Sequence, residues 1–196
     1  AQFTYTVEEK DEFAGIQFSI ATASYTIQSN LSGSFNCTNL AAAVALGRYF
    51  DVPAPAIVQA LTDYLPAMNR VEWRKTASNQ VLLDAYNANP TSMSLSIENF
   101  AKWHKDGWLV LGDMFELGEE SAAEHRAIVK LVQRINMEER CILVGKHFGR
   151  TSWRGKQFPT TGDLKTYWRE NGAPKDAAIL LKGSRGIALE QLLPLL

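Results

Sequence analysis

Residues 80–113, QVLLDAYNANPTSMSLSIENFAKWHKDGWLVLGD, decide the fold. The run Val81-Leu-Leu83 is short, wholly apolar and closed by Asp84. A run of that length bounded by turn residues predicts a strand buried on both faces, here over 80–85. Asn89 then precedes Pro90. An amide side chain suits the N-cap, and a proline suits the first helical position, where its missing N–H is not needed. A helix is therefore predicted over about 90–104. Trp108-Leu-Val-Leu111 supplies a second apolar strand. Strand, helix, strand in so short a span makes a crossover unit of a parallel sheet.

The same alternation continues downstream. A helix is predicted from Ser121, with Glu124 three residues on as its capping partner, to about residue 136. Cys141-Ile-Leu-Val144 and Ala178-Ile-Leu-Leu181 read as further strands. Helices are expected at about 162–170 and 185–194. Upstream, 71–76 pairs with 80–85 through a short Ala-Ser-Asn turn. Apolar strands alternating with amphipathic helices predict an α/β domain with a mainly parallel sheet covered on both faces. Pro66-Ala-Met-Asn-Arg70 is the expected boundary, dividing the chain into 1–66 and 67–196. The first part reads as strands at 2–8 and within 16–29, then helices over about 36–50 and 55–65. In the first helix, residues 40, 43, 44 and 46–47 fall close to one face. This is little for an independent core, so 1–66 is expected to be the tail of a larger domain.

Composition narrows the partners. Of 196 residues, 46% are hydrophobic and 21% charged, which suits a globular protein with a real core. A net charge of -1 offers no basic field for nucleic acid or an anionic membrane. Cys37 and Cys141 have no metal-ligand spacing, and Cys141 reads as a small buried hydrophobe. No apolar run approaches a membrane span, and the first residues do not read as a signal peptide, so a cytoplasmic location is expected.

In open α/β sheets, ligands bind beyond the carboxyl ends of the strands. Four such ends carry polar groups beside glycine or a turn: Asp84-Ala-Tyr-Asn-Ala-Asn89, Gly112-Asp113 with Glu116, Gly145-Lys146-His147, and Lys182-Gly-Ser-Arg185. Each has a plain structural alternative. Asp84 can close a turn, Asn89 can cap its helix, Gly112-Asp113 can be a turn, and Lys182 can be a solvated charge. No dinucleotide fingerprint and no complete phosphate loop is present. His104, His125 and His147 have no metal spacing. The residues alone give an α/β domain with a polar, anion-binding edge.

The segment Asp84-Ala-Tyr-Asn-Ala-Asn-Pro-Thr-Ser-Met93 resembles a signature of the Mur ligases, in the branch that joins D-alanyl-D-alanine to UDP-N-acetylmuramoyl-tripeptide. Leu111-Gly-Asp-Met-Phe-Glu-Leu-Gly-Glu-Glu-Ser121 with Glu124-His125, Val144-Gly-Lys146 and Leu181-Lys-Gly-Ser-Arg185 agree in order. Gly33-Ser-Phe-Asn36-Cys-Thr-Asn39 resembles an upstream segment of the same family, and Arg70 falls at its domain boundary.

The resemblance implies a Rossmann-like C-terminal domain over 67–196, preceded by the tail of the central ATP-binding domain over 1–66. It also implies ATP-dependent amide ligation, in which the tripeptide carboxylate is phosphorylated and the amine of D-alanyl-D-alanine attacks the acyl phosphate. Magnesium would offset the phosphate charge, its ligands lying mostly before residue 1. By the same resemblance Asn39, with Asn36 beside it, would contact adenine. Arg70 would meet the terminal phosphates as the catalytic cation, and Asp84 would accept from the ribose hydroxyls. Tyr86 and Asn87 would lie near nucleotide and dipeptide, and Asn89, Lys182, Ser184 and Arg185 on the dipeptide side. Phe35 stands where the family pattern has histidine. The phosphate loop and UDP-sugar domain would also precede residue 1, so the chain alone is expected to be inactive. The alternatives are a non-catalytic nucleotide- or peptide-binding module of this fold, or a sister Mur ligase with another amino-acid substrate.

Overall fold

The structure, a computed structural model, describes residues 4–8 and 10–196 and divides into two compact units, Ala1–Pro66 and Ala67–Leu196. In the first, β1 (Tyr5–Glu8), β2 (Phe13–Ile20) and β3 (Ala23–Ser32) form an antiparallel sheet in that order. Of the strand expected over 2–8, residues 2 and 3 lie outside the described residues. The two alternating segments within 16–29 belong to one hairpin, in which Ile16 faces Ile27 and Phe18 faces Tyr25. α1 (Asn36–Tyr49) and α2 (Ala54–Asp63) complete the unit. Ala14, Ile16, Phe18, Ile27, Leu40, Val44 and Ile57 make its core. The α1 face differs from expectation. Cys37, Leu40, Ala41 and Val44 are buried, whereas Leu46 is 61% exposed. Position 46 lies about 200° around the helix from 44, which carries it off the buried stripe.

The second unit is built on six strands: β4 (Glu72–Lys75), β5 (Gln80–Asp84), β6 (Trp108–Gly112), β7 (Cys141–Val144), β8 (Lys156–Phe158) and β9 (Ala178–Lys182). Their order is β4-β5-β9-β6-β7-β8. β4 is antiparallel to β5, and the other neighbours are parallel. Alternate residues face opposite ways. Leu82, Leu109, Leu111, Leu143 and Leu180 face one core with α3 (Pro90–Trp103) and α4 (Ser121–Arg134), through Met93, Ile97, Phe100, Ile128 and Val132. Val81, Leu83, Val110, Ile142, Ile179 and Leu181 face the other, with Leu164 and Trp168 of α5 (Thr161–Asn171) and with Leu189 and Leu192. The α/β class and mainly parallel sheet are as the alternation predicts.

Two local expectations need correction, and one strand was not expected. The segment 185–194 is not an α-helix but two 3-10 turns, Arg185–Ile187 and Leu189–Leu195, separated by Ala188 in the left-handed region at φ 58°. Pro194 inside the second also lacks the donor an α-helix would need. Ser121 does not cap α4. A 3-10 turn, Gly118–Glu120, runs straight into the helix, and Ser121 is already helical at φ -49°, ψ -45°. β8 was missed because Lys-Gln-Phe carries neither an apolar run nor alternation.

Candidate active site at the strand ends

The parallel strands deliver four chain segments to one end of the sheet. β5 and β9 run side by side, with Asp84 opposite Lys182 in register. Both stand two residues beyond leucines, Leu82 and Leu180, that face the α3 core. Both therefore point to that side. Lys182 is 1% exposed, so the expectation of a solvated charge fails. Its Nζ lies 2.5 Å from Asp84 Oδ2. Ser96 Oγ, on α3, donates to the same oxygen at 2.8 Å. Ser96 escaped the sequence reading, yet it had a signal. It occupies the apolar stripe Met93, Ser96, Ile97, Phe100, where a hydroxyl must find a partner.

Arg70 and Tyr86 meet at the same strand end. Asn69 O accepts from Ala85 N–H at 3.0 Å and from Tyr86 N–H at 3.2 Å, which ties the boundary segment to the end of β5. Asn69 and Val71 both have positive φ, 61° and 51°. For β-branched Val71 this is a strained conformation. The turn carries the Arg70 guanidinium 3.8 Å over the Tyr86 ring centroid. The Arg185 guanidinium, from the β9 end, lies 5.7 Å from the same ring. Two exposed guanidiniums thus share one aromatic platform, an arrangement suited to phosphate or carboxylate oxygens.

The neighbouring ends are tied differently. Asp113 is 2% exposed, and both its oxygens are used. Oδ2 accepts from His147 N–H and Oδ1 from Phe148 N–H, each at 2.8 Å. A Cβ on Gly145 would lie 2.2 Å from the Asp113 carboxyl carbon, and Gly145 sits at φ 130°, so this clamp needs glycine there. His125 is fully buried on α4. Met114 N–H donates to its Nε2 at 3.1 Å, so the proton sits on Nδ1, which donates to Ser121 O at 2.7 Å. Burial pushes the His125 pKa down, outweighing the backbone bond to Ser121 and the nearby Asp113. The 3.6 Å approach of His125 Nε2 to Asp113 Oδ1 is therefore not an ion pair. Ser121 Oγ lies 3.1 Å from His147 Nδ1, where the expected cap is absent. Ser184 Oγ accepts from Phe115 N–H at 2.9 Å, joining the β9 and β6 ends.

The remaining expected residues have local roles. Asn89 caps α3, accepting from Ser92 N–H at 2.8 Å while Ser92 Oγ accepts from Asn89 N–H at 3.2 Å. Asn87 Oδ1 accepts from Ala88 N–H at 2.8 Å. Within the first unit, Asn36 is buried and its Nδ2 donates to Ser32 O at 2.9 Å. Asn39 Nδ2 donates to Asn36 Oδ1 at 2.9 Å, so the buried amide steers the exposed one. The Phe35 ring lies against Gly33.

Among the described residues no group of three or more His, Cys, Asp or Glu side chains could hold a metal ion. These residues do not by themselves fit a magnesium site. A surface cavity lined by Lys75–Gln80, His104 and Asp176–Ala178 opens where β5 and β9 begin, away from the strand ends just described.

Residues 69–185 match the family described as Mur ligase, glutamate ligase domain. The chain belongs to the Mur ligase family. It is 31% identical over 192 residues to UDP-N-acetylmuramoyl-tripeptide--D-alanyl-D-alanine ligase of Bacillus subtilis, covering 91% of this chain and 41% of that protein. Its structure resembles that of MurF from Acinetobacter baumannii, with a TM-score of 0.81, 26% identity, and 97% and 44% of the two chains covered. The fold is shared with Thermotoga maritima MurF, solved in complex with ADP, at a TM-score of 0.74 and 18% identity over 98% and 45% of the chains. The chain thus spans about two fifths of the length of these relatives. No described helix is long and apolar enough to cross a membrane.

Proposed function

We propose that this chain is the C-terminal portion of an ATP-dependent ligase that joins D-alanyl-D-alanine to UDP-N-acetylmuramoyl-tripeptide, a step of peptidoglycan precursor synthesis. Residues 67–196 are its C-terminal domain, and residues 1–66 belong to its central ATP-binding domain. The observation that carries the reading is the Arg70–Tyr86–Arg185 stack beside the buried Asp84–Lys182 pair at the carboxyl end of a parallel sheet. The 31% identity to the Bacillus subtilis ligase supports the substrate assignment.

In this reading the tripeptide carboxylate attacks the γ-phosphorus of ATP, giving an acyl phosphate and ADP. The dipeptide amine then adds to the acyl carbon, and the tetrahedral intermediate expels phosphate as the amide forms. Arg70 stabilises the negative charge on the transferring phosphoryl group and on the acyl phosphate, where a guanidinium offers two parallel donors. Asp84 accepts from the ribose through Oδ1, because Oδ2 is already taken by Lys182 and Ser96. Asn39 is the adenine contact, its amide turned by Asn36. Tyr86 holds the two guanidiniums, Asn87 lies beside it in sequence, and Arg185 attracts the carboxylate of the dipeptide. Ser184 and Asn89 hold backbone N–H groups, and they shape this side by fixing loops. Magnesium, when bound, would neutralise phosphate charge.

The test is phosphate release by the full-length protein with UDP-N-acetylmuramoyl-tripeptide and ATP, with and without D-alanyl-D-alanine. Release that requires the dipeptide, and falls at least about a hundredfold in Arg70→Ala, is expected. Release supported by a single amino acid and not by the dipeptide would assign the chain to a sister ligase.

A further inference from the structure

We propose that Lys182 and Ser96 are positioning residues that present one oxygen of Asp84 to the ribose diol, and that Lys182 does not touch the dipeptide. The inference rests on the nucleotide reading of this strand end. Three observations carry it.

First, the two bonds fall on one oxygen. Lys182 Nζ and Ser96 Oγ both donate to Oδ2, at 2.5 and 2.8 Å. Oδ1 has no protein donor among the described residues. A carboxylate held by one oxygen, with the other open, is set to accept from a ligand hydroxyl.

Second, Lys182 has nowhere else to go. Its side chain is 2% exposed, and its register places it beside Asp84 within the sheet. Reaching a dipeptide would mean leaving Asp84 and crossing to the surface. The long stem is spent reaching a carboxylate on the neighbouring strand.

Third, stability alone does not account for the pair. Burying an ammonium and a carboxylate loses hydration that their attraction only about restores, and apolar residues of like volume often stabilise as well or better. Serine on the apolar stripe of α3 adds a second buried polar group for the same oxygen. Two polar side chains, from β9 and α3, converge to orient one carboxylate on β5, whose own side chain is 11% exposed at the strand end. That exposure is the route by which Oδ1 meets solvent and ligand.

The experiment compares ATP with 2′,3′-dideoxy-ATP in the full-length protein, measuring KM for each and KM for D-alanyl-D-alanine. The variants are Asp84→Asn, Ser96→Ala and Lys182→Met. A hydrogen bond from a hydroxyl to a charged acceptor corresponds to a preference for ATP of about tenfold or more in the unaltered protein. Asp84→Asn should remove most of it. Ser96→Ala should reduce it about threefold. Lys182→Met should reduce it about tenfold, with KM for the dipeptide within about twofold of the starting value. Should Lys182→Met fail to fold, the milder Ser96→Ala decides alone. Preference intact in Ser96→Ala and Lys182→Met but lost in Asp84→Asn would overturn the positioning roles and leave the nucleotide reading standing. A raised KM for the dipeptide in Lys182→Met, with ribose preference unchanged, would instead make Lys182 a substrate contact. No preference in the unaltered protein would overturn the nucleotide reading and this inference together.

Discussion

Asp84 and Asp113 look alike in sequence, since each follows an apolar strand and each is buried, 8% and 2% exposed. Their partners differ. Asp113 has both oxygens engaged by backbone N–H groups from the loop after β7. Asp84 has both side-chain donors on one oxygen. A carboxylate with both oxygens held by backbone and almost no exposure braces the protein, whereas one with an oxygen free of protein donors at the strand end can also hold a ligand. The β6–β7 half of the strand ends is thus a brace, and the β5–β9 half, with Arg70, Tyr86 and Arg185, is the working face in the function proposed above.

The comparison can be broken most severely at Asp113. Asparagine there is nearly isosteric but offers one acceptor where two N–H groups converge, so its amide faces a donor. Asp113→Asn should lower stability by about 4 kcal/mol, read by urea unfolding. Gly145→Ala attacks the same clamp from the other side. Its Cβ would lie 2.2 Å from the Asp113 carboxyl carbon at a φ of 130°, and about 3 kcal/mol of destabilisation is expected in the same assay.

His125 sharpens the brace through pH. Its pKa is lowered from 6.5 by burial, so the folded chain keeps it neutral where the unfolded chain takes up a proton. Stability should therefore be full above about pH 7 and fall as pH drops from there toward the folded-state pKa. In His125→Gln, where the amide oxygen can still accept from Met114 N–H, that part of the slope should vanish. Urea midpoints between pH 7.5 and 5.5 measure it. The smallest effect belongs to the helix cap. Asn89→Ala should lower stability by about 1 kcal/mol, seen as a shift in Tm. A much larger loss of ligation than of stability would move Asn89 to the working face.

These contrasts also mark what sequence can and cannot carry. The βαβ pattern was legible because Val81-Leu-Leu83 and Trp108-Leu-Val-Leu111 are continuous apolar runs and Asn89-Pro90 is a local start signal. The strand-end location of Asp84 and Asp113 followed from those runs, and that of Lys182 and Ser184 from Ala178-Ile-Leu-Leu181. Which carboxylate stays open did not. It depends on Ser96 and on the loop after β7, which reach the two aspartates only through tertiary contact. Ser96 and His125 share one overlooked signature: each is a polar residue in an i, i+3, i+4, i+7 stripe, His125 with Ile128, Val129 and Val132. The Ser121 and Glu124 spacing misled because the capping pattern says nothing of a 3-10 turn feeding the helix from behind.

The most direct test sets the two aspartates against each other in the full-length protein, as KM for ATP and Tm measured side by side for Asp84→Asn and Asp113→Asn. Asp84→Asn is expected to raise KM for ATP about tenfold or more. Asp113→Asn should lower Tm sharply and leave KM for ATP of the folded protein within about twofold. A shift in KM for ATP confined to Asp113→Asn, with Asp84→Asn binding normally, would contradict the assignment of brace and working face.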